Sequence, residues 1–419
     1  MSDLIIRGGR ALSGCVSVEG NKNAALPLLA ACVLTPEPCR LHNVPRIRDV
    51  GVMLDLLRSL GAEVDGQGTT SLTVTCRDIT SSEPDPALVG RLRGSVLLLG
   101  SLAARTGKAS LAQPGGDFPA RRTITTHLQA LQAMGATVTE SVRGHVVDAP
   151  DGLTGASVYL LEASVTGTET ALLAAAAAKG VTEIRHAACE PHVVELCQCL
   201  VAMGVDIDGI GGPTLRVEAP DRLRGVDHTL RGDYIEAASW GVVGAVTKGE
   251  IEVRGASAVD LEPITTVLAA MGVSFDLADG QFVVRPSPLR ATKRITTGLW
   301  PGFPSDIVSL VTVLATQAEG RTLVHDWMYE LRLFALEQLS AMRADLFLCD
   351  PHRIIVTGPT PLRARVLDSR DIRSGMALVA AALAAEGEST VLDIETVERG
   401  YAGLVTRLRA LGADVERIG

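Results

Sequence analysis

Aromatic side chains are scarce in this chain: three Trp, four Tyr and six Phe among 419 residues. Trp240, Trp300 and Trp327 are too few for the stacking platform that single-stranded nucleic acid needs. A basic excess is missing as well, since 39 Lys and Arg stand against 48 Asp and Glu, a net charge of −9. Nucleic acid and anionic membrane both need a broad basic surface, so neither is expected as a partner, and any anion has to be held by a local cluster. The longest apolar runs, "ALLAAAAA" from 171 and "ALVAAALAA" from 377, fall well short of a membrane span. The eight cysteines form no CxxC pair and no Cys/His ligand spacing, and no signal peptide accompanies them. They read as reduced, mostly buried thiols of a cytoplasmic protein, and no metal site is expected. His127, His192 and the other histidines have no triad or metal partner at a recognisable spacing.

What the chain does have is one phrase used six times: "LLRSLGAEV", "LQALQAMGATV", "CLVAMGVDI", "VLAAMGVSF", "QLSAMRADL" and "RLRALGADV". The turn positions are Gly61, Gly135, Gly204, Gly272, Arg343 and Gly412, with gaps of 74, 69, 68, 71 and 69 residues. Each phrase reads as an amphipathic helix stopped by a C-cap glycine and followed by an alternating strand; Arg343 marks the copy that lacks the glycine. Upstream in each copy lies a helix of Ala, Val, Leu and Gly around most of its circumference, such as "LVAAALAAEGESTVLDIE", then a turn and a strand. A helix without a polar face is a buried helix. Six such units exceed one core, so two domains of three units are expected, meeting near residues 225 to 232. A solenoid fits less well, because its repeats usually run about 20 to 50 residues. A closed three-fold bundle of buried helices capped by sheets puts an active site in a cleft between two similar lobes.

Charges concentrate at helix starts. In "GNKNAALPLL", Asn23 reads as the N-cap and Lys22 stands at a helix N-terminus, where a cation is unfavourable unless an anion lies nearby. Arg91 and Arg93 in "GRLRGSVLLLG", Arg373 in "LDSRDIRSGMALV" and Arg399 ahead of the last helix in "ETVERGYAGL" repeat the anomaly. Four such helix starts in an acidic protein argue for one anion pocket assembled from several copies. The glycine-rich "QPGGDFPARRTITTH" carries Asp117 beside Arg121 and Arg122, a pair suited to phosphate or carboxylate, although taken in isolation the stretch reads first as a solvated surface loop. Capping alone accounts for Ser305 and Asp306 at their helix start, and Asp371 reads as a cap or as a further site residue.

Together "GNKNAALPLL", "NVPRIRDV", "PGG" with an arginine seven residues beyond it, "FPSD", "DIRSG" and "ERGY" resemble the UDP-N-acetylglucosamine 1-carboxyvinyltransferase (enolpyruvyl transferase) family over the whole chain. More distantly the plan is similar to 5-enolpyruvylshikimate-3-phosphate synthase. The resemblance implies a two-domain inside-out α/β barrel, each domain three repeats of about 70 residues with buried helices and outer sheets. It implies one domain of residues 22–229 and another of 1–21 plus 230–419, the N-terminal strand completing the latter. It further implies transfer of the enolpyruvyl group of phosphoenolpyruvate to the 3'-hydroxyl of UDP-N-acetylglucosamine with release of phosphate, a step of peptidoglycan precursor synthesis, with no metal or organic cofactor. Residue by residue, Lys22, Arg93, Arg122, Arg373 and Arg399 match positions around phosphoenolpyruvate. Asn23, Asp306 and Glu330 match positions facing the amino sugar, Arg332 and Asp371 further pocket positions, and Asp306 the group that takes the acceptor's proton.

The chain departs from the family pattern in places. Asp117 replaces the usual loop cysteine, which implies insensitivity to the epoxide fosfomycin. The uridine loop reads Arg122, Thr123, Ile124, Thr125, Thr126, His127, without the usual proline and aspartate. Glu162 stands where a phosphate-binding lysine is usual, and Tyr234 where an arginine is. Two further readings therefore stand beside the sugar nucleotide: a paralogue acting on a simpler nucleotide such as UMP in nucleoside-antibiotic synthesis, and a catalytically silent paralogue that binds ligands or a partner protein.

Overall fold

Six helices are built almost wholly from small and aliphatic residues, and they form the interior. The computed structural model describes residues 2–115, 123–329 and 332–419. It divides into two compact units, Gly20–Arg231 on one side and Met1–Glu19 with Gly232–Gly419 on the other. In the first unit the helices Lys22–Ala31, Leu98–Thr106 and Val165–Ala175 pack on one another. In the second, Tyr234–Val246, Val308–Gln317 and Ile372–Ala384 do the same. Small residues set how near they come: a Cβ on Gly100 would sit 2.5 Å from the Thr170 carbonyl oxygen of the neighbouring helix.

Among the described residues three sheets cover each bundle, five of them four-stranded and one three-stranded. The plan repeats. Outside the three-stranded sheet, whose described pairings are all antiparallel, and the sixth copy, a strand following the buried helix pairs antiparallel with one strand of a hairpin and parallel with a short strand. Thus Cys39–His42 lies between Asp227–Thr229, parallel, and Ser71–Thr75, antiparallel, and Glu63–Asp65 completes the hairpin. In the sixth copy Asp3–Arg7 takes the central place, antiparallel to both Glu388–Leu392 and Asp414–Ile418. Strand alternation turns residues such as Ile251 and Val253 onto the helices and their charged neighbours outward. Helices inside and sheets outside make the inside-out α/β architecture that the resemblance implies.

The six turn positions also agree in conformation. Gly61, Gly135, Gly204, Gly272 and Gly412 have φ between 82° and 110°, and Arg343 takes φ 73° without being glycine. A side chain in that region carries a steric cost of roughly 1–2 kcal/mol, which the fifth copy carries and the others avoid.

Candidate active site

In the Gly20–Arg231 unit, Lys22 is the first residue of its helix. The cap is Asn21, not Asn23: the Asn21 side chain accepts from the Asn23 N–H at 2.7 Å and the Ala24 N–H at 3.3 Å. The reason lies outside the motif. The Gly20 N–H donates to the Asn43 carbonyl and the Asn21 N–H to the Arg231 carbonyl, which hold the chain extended as far as Asn21. A carboxylate does meet Lys22 at this helix start: its Nζ lies 2.8 Å from Asp49 Oδ2, with the two side chains 12% and 4% exposed. Asp49 comes from the first turn of the next helix, Arg48–Ser59.

Arg93 opens the 3₁₀ turn Arg93–Leu97 that runs into the second buried helix, and its Nη2 donates to the Thr123 carbonyl at 2.9 Å. His127 is buried nearby. Desolvation, and then the charge of Arg93, push its imidazole down to about 3, so the ring is neutral. Its Nε2 lies 2.9 Å from Thr166 Oγ1. The Thr126 hydroxyl donates to Glu162 Oε1 at 3.3 Å, and Ser164 caps the third buried helix through the Gly167 N–H. Asp117, Arg121 and Arg122 lie outside the described residues, as does Glu330.

In the other unit Asp306 sits between two buried guanidinium groups. Arg373 approaches its Oδ2 through Nη2 at 2.9 Å and Nε at 3.1 Å, and Arg332 Nη2 lies 3.2 Å from Oδ1. The arginine side chains are 8% and 5% exposed and Asp306 is 29% exposed, so the carboxylate retains an open side. Asp371 caps the helix that begins at Ile372, accepting from the Arg373 and Ser374 N–H groups at 2.9 and 3.0 Å. Behind Arg332, Ser305 Oγ accepts from Nη1 at 2.8 Å and donates to Asp326 Oδ2 at 2.8 Å, and Tyr329 lies under the guanidinium at 4.1 Å. Behind Arg373, the Tyr401 hydroxyl lies at 3.5 Å from Nη1 and 2.9 Å from Ser239 Oγ. Burial works against the Arg373 charge, but Asp306 first, then Tyr401 and Asp233, hold its pKa above the usual arginine value.

Arg399 departs from the expectation. It follows the short helix Ile394–Glu398 as its C-cap, and the last helix begins only at Leu404, after Gly403 at φ 60°. Its charge therefore stands at the end of a helix that favours cations. Of the cations expected at helix starts, Lys22, Arg93 and Arg373 remain, and Arg48 opens a further helix. Sequence reasoning missed Asp49, Asp326 and Tyr401. The one acid inside "NVPRIRDV", in the first turn of a helix, was the signal available for Asp49, and it reads equally well as a dipole partner.

Arg332 and Arg373 are held by hydroxyls, aromatic faces and a carboxylate, and Arg93 by a backbone carbonyl, an arrangement that can preorganise positive charge for an anion. The family model described as EPSP synthase (3-phosphoshikimate 1-carboxyvinyltransferase) matches residues 6–408. The chain is 41% identical to the UDP-N-acetylglucosamine 1-carboxyvinyltransferase of Treponema pallidum, with all of both chains covered. It is also 41% identical to the enzyme of that name from Bradyrhizobium diazoefficiens, covering 99% of this chain and 97% of that one. Among solved structures it is similar to the enolpyruvyl transferase NikO from Streptomyces tendae, with TM-score 0.91, 28% identity, and 99% and 98% of the two chains covered.

Proposed function

We propose a function from one premise: this chain belongs to the EPSP synthase (3-phosphoshikimate 1-carboxyvinyltransferase) family and is an enolpyruvyl transferase. It transfers the enolpyruvyl group of phosphoenolpyruvate to the 3'-hydroxyl of UDP-N-acetylglucosamine, releasing phosphate, in peptidoglycan precursor synthesis. The observation that carries this reading is full-length identity near 40% to transferases named for that acceptor.

The reaction needs three things from the chain. The acceptor hydroxyl must lose a proton as its oxygen bonds to C2 of phosphoenolpyruvate, and C3 must gain one, because C2 becomes electrophilic only as the enol is protonated. Then C3 gives up a proton and the C2–O bond to phosphate breaks, which restores the vinyl group and expels the phosphate dianion. We assign the first proton to Asp306, which stays partly exposed beside its two arginines, and the proton to C3 to Asp117. Lys22, Arg93, Arg122, Arg373 and Arg399 are the proposed cations for phosphoenolpyruvate and for the phosphate as it leaves. Asn23, Glu330, Arg332 and Asp371 are the proposed acceptor and supporting positions. The proposed partners are thus phosphoenolpyruvate and a uridine sugar nucleotide.

With aspartate at position 117, fosfomycin has no loop cysteine to alkylate. All eight cysteines are free thiols and no described helix is long and apolar enough to cross a membrane, which supports a cytoplasmic enzyme.

One observation favours a second acceptor, a simpler nucleotide such as UMP. Glu162, at the position where the resemblance implies a phosphate-binding lysine, is held by Thr126 just ahead of a helix N-terminus. Phosphate release from phosphoenolpyruvate, measured with a panel of acceptors and with Asp306→Asn as control, separates the readings. Turnover with the sugar nucleotide supports the first, turnover with UMP alone supports the second, and none with any acceptor supports a silent paralogue.

A further inference from the structure

The residue after Lys22's cap is fixed by more than its own helix. We propose that Glu195 is a positioning residue, a buried carboxylate that sets where Lys22 stands by holding the peptide to which the Lys22 helix start is tied. This rests on the reading that Lys22 binds phosphoenolpyruvate.

Glu195 lies within the helix Pro191–Ala202 and is 1% exposed, among buried Leu196, Cys199 and Leu200. An acid there is costly, since an apolar residue would fill the same space without desolvating a charge. Its Oε1 accepts from the Arg231 N–H at 2.8 Å and lies 3.2 Å from His228 Nε2. The Arg231 carbonyl in turn accepts from the Asn21 N–H at 2.8 Å. Asn21 then caps the helix through the Asn23 and Ala24 N–H groups, which places Lys22 at its first position.

The bonds thus run from a rigid helix, through one peptide, to the cap. Neighbouring bonds keep the two segments side by side: the Gly20 N–H to the Asn43 carbonyl at 2.9 Å, and Asn43 Nδ2 to the Leu230 carbonyl at 2.9 Å. Asp49 holds the ammonium tip at 2.8 Å, while Glu195, through Arg231 and Asn21, holds the backbone from which the tip extends. A lysine has a long flexible stem, so an anion site built on it needs both ends fixed. A peptide N–H bonded to a carboxylate is a charge-assisted link, stronger than a neutral one.

The test uses full-length Glu195→Leu and Glu195→Gln, assayed for phosphate release with each substrate titrated in turn. Glu195→Leu is expected to raise the KM for phosphoenolpyruvate about tenfold, one lost charge-assisted bond being of that size. Glu195→Gln keeps an oxygen for the Arg231 N–H and is expected within about threefold of the parent. Should the leucine variant fail to fold, Glu195→Asp, one methylene shorter, takes its place with the same expectation. Amide exchange at Asn23 and Ala24 gives a readout that needs no turnover, and it should quicken in the leucine or aspartate variant and not in the glutamine variant. A parental KM for phosphoenolpyruvate with parental exchange overturns the proposal, and so does a Glu195→Gln variant that loses as much as Glu195→Leu. If Lys22→Ala leaves the KM for phosphoenolpyruvate unchanged while exchange still quickens in the Glu195 variants, the role given to Lys22 fails and the positioning of the helix start stands.

Discussion

Replacing Asp306 by asparagine separates a catalytic carboxylate from a structural one. In the parent one carboxylate answers two guanidinium groups, each with a side chain less than a tenth exposed. Asparagine keeps an oxygen for one of them at the 2.9–3.2 Å distances now seen, but it removes the negative charge between them. A charged hydrogen bond lost from a mostly buried site costs about 1.5–3 kcal/mol, softened here because Asp306 retains a solvent-facing side. A thermal melt should therefore show a modest loss. Catalysis should suffer more, since an amide cannot take the acceptor's proton, and removal of a positioned base typically costs about 10²–10⁴-fold in rate. The assay is phosphate release at saturating phosphoenolpyruvate and acceptor, with folding checked by circular dichroism. A folded Asp306→Asn enzyme that turns over within about tenfold of the parent would refute the base assignment and leave Asp306 as an anchor for Arg332 and Arg373.

Other perturbations reach different parts of the molecule. Arg343→Gly should stabilise the protein by up to about 1 kcal/mol, because it relieves a left-handed side chain at a position where the other five copies use glycine; a lowered melting temperature would count against this. Burial pushes the Glu236 carboxyl up to about 8 despite Arg407 in contact with it. Its folded value is raised above the unfolded one, so the stability it contributes is present in full below about 4.5 and is lost as pH rises through about 8. Melting temperatures should fall over that window in the parent and fall less in Glu236→Gln; parallel curves would dismiss the idea. Intact-mass spectrometry after incubation with fosfomycin should show no stoichiometric adduct, and one that mapped to Asp117 would contradict the reading of that loop.

Much of the scaffold is local in origin, which is why periodicity reveals it. A left-handed cap glycine, an amphipathic helix before it and an alternating strand after it are each decided within about ten residues, and six copies at near-equal spacing reinforce one another. Buried helices are equally legible, because a segment with no polar face has one place to go. Asn21 shows the limit: three residues of a motif containing two asparagines do not say which one caps, and bonds from Asn43 and Arg231 decide it. The start of the last helix at Leu404 likewise follows Gly403 in a left-handed conformation, which glycine permits but does not announce.

The sequence by itself determined the repeat, the α/β class, the buried helices and the residue types from which an anion site can be built, because these follow from local periodicity and composition. Only the tertiary structure decided which charges meet. Asp49 lies 27 residues from Lys22 and Asp306 lies 67 from Arg373, and both pairs close at under 3 Å. Contacts across such separations depend on how three separate helices and their loops pack, and no neighbouring residue along the chain encodes that distance.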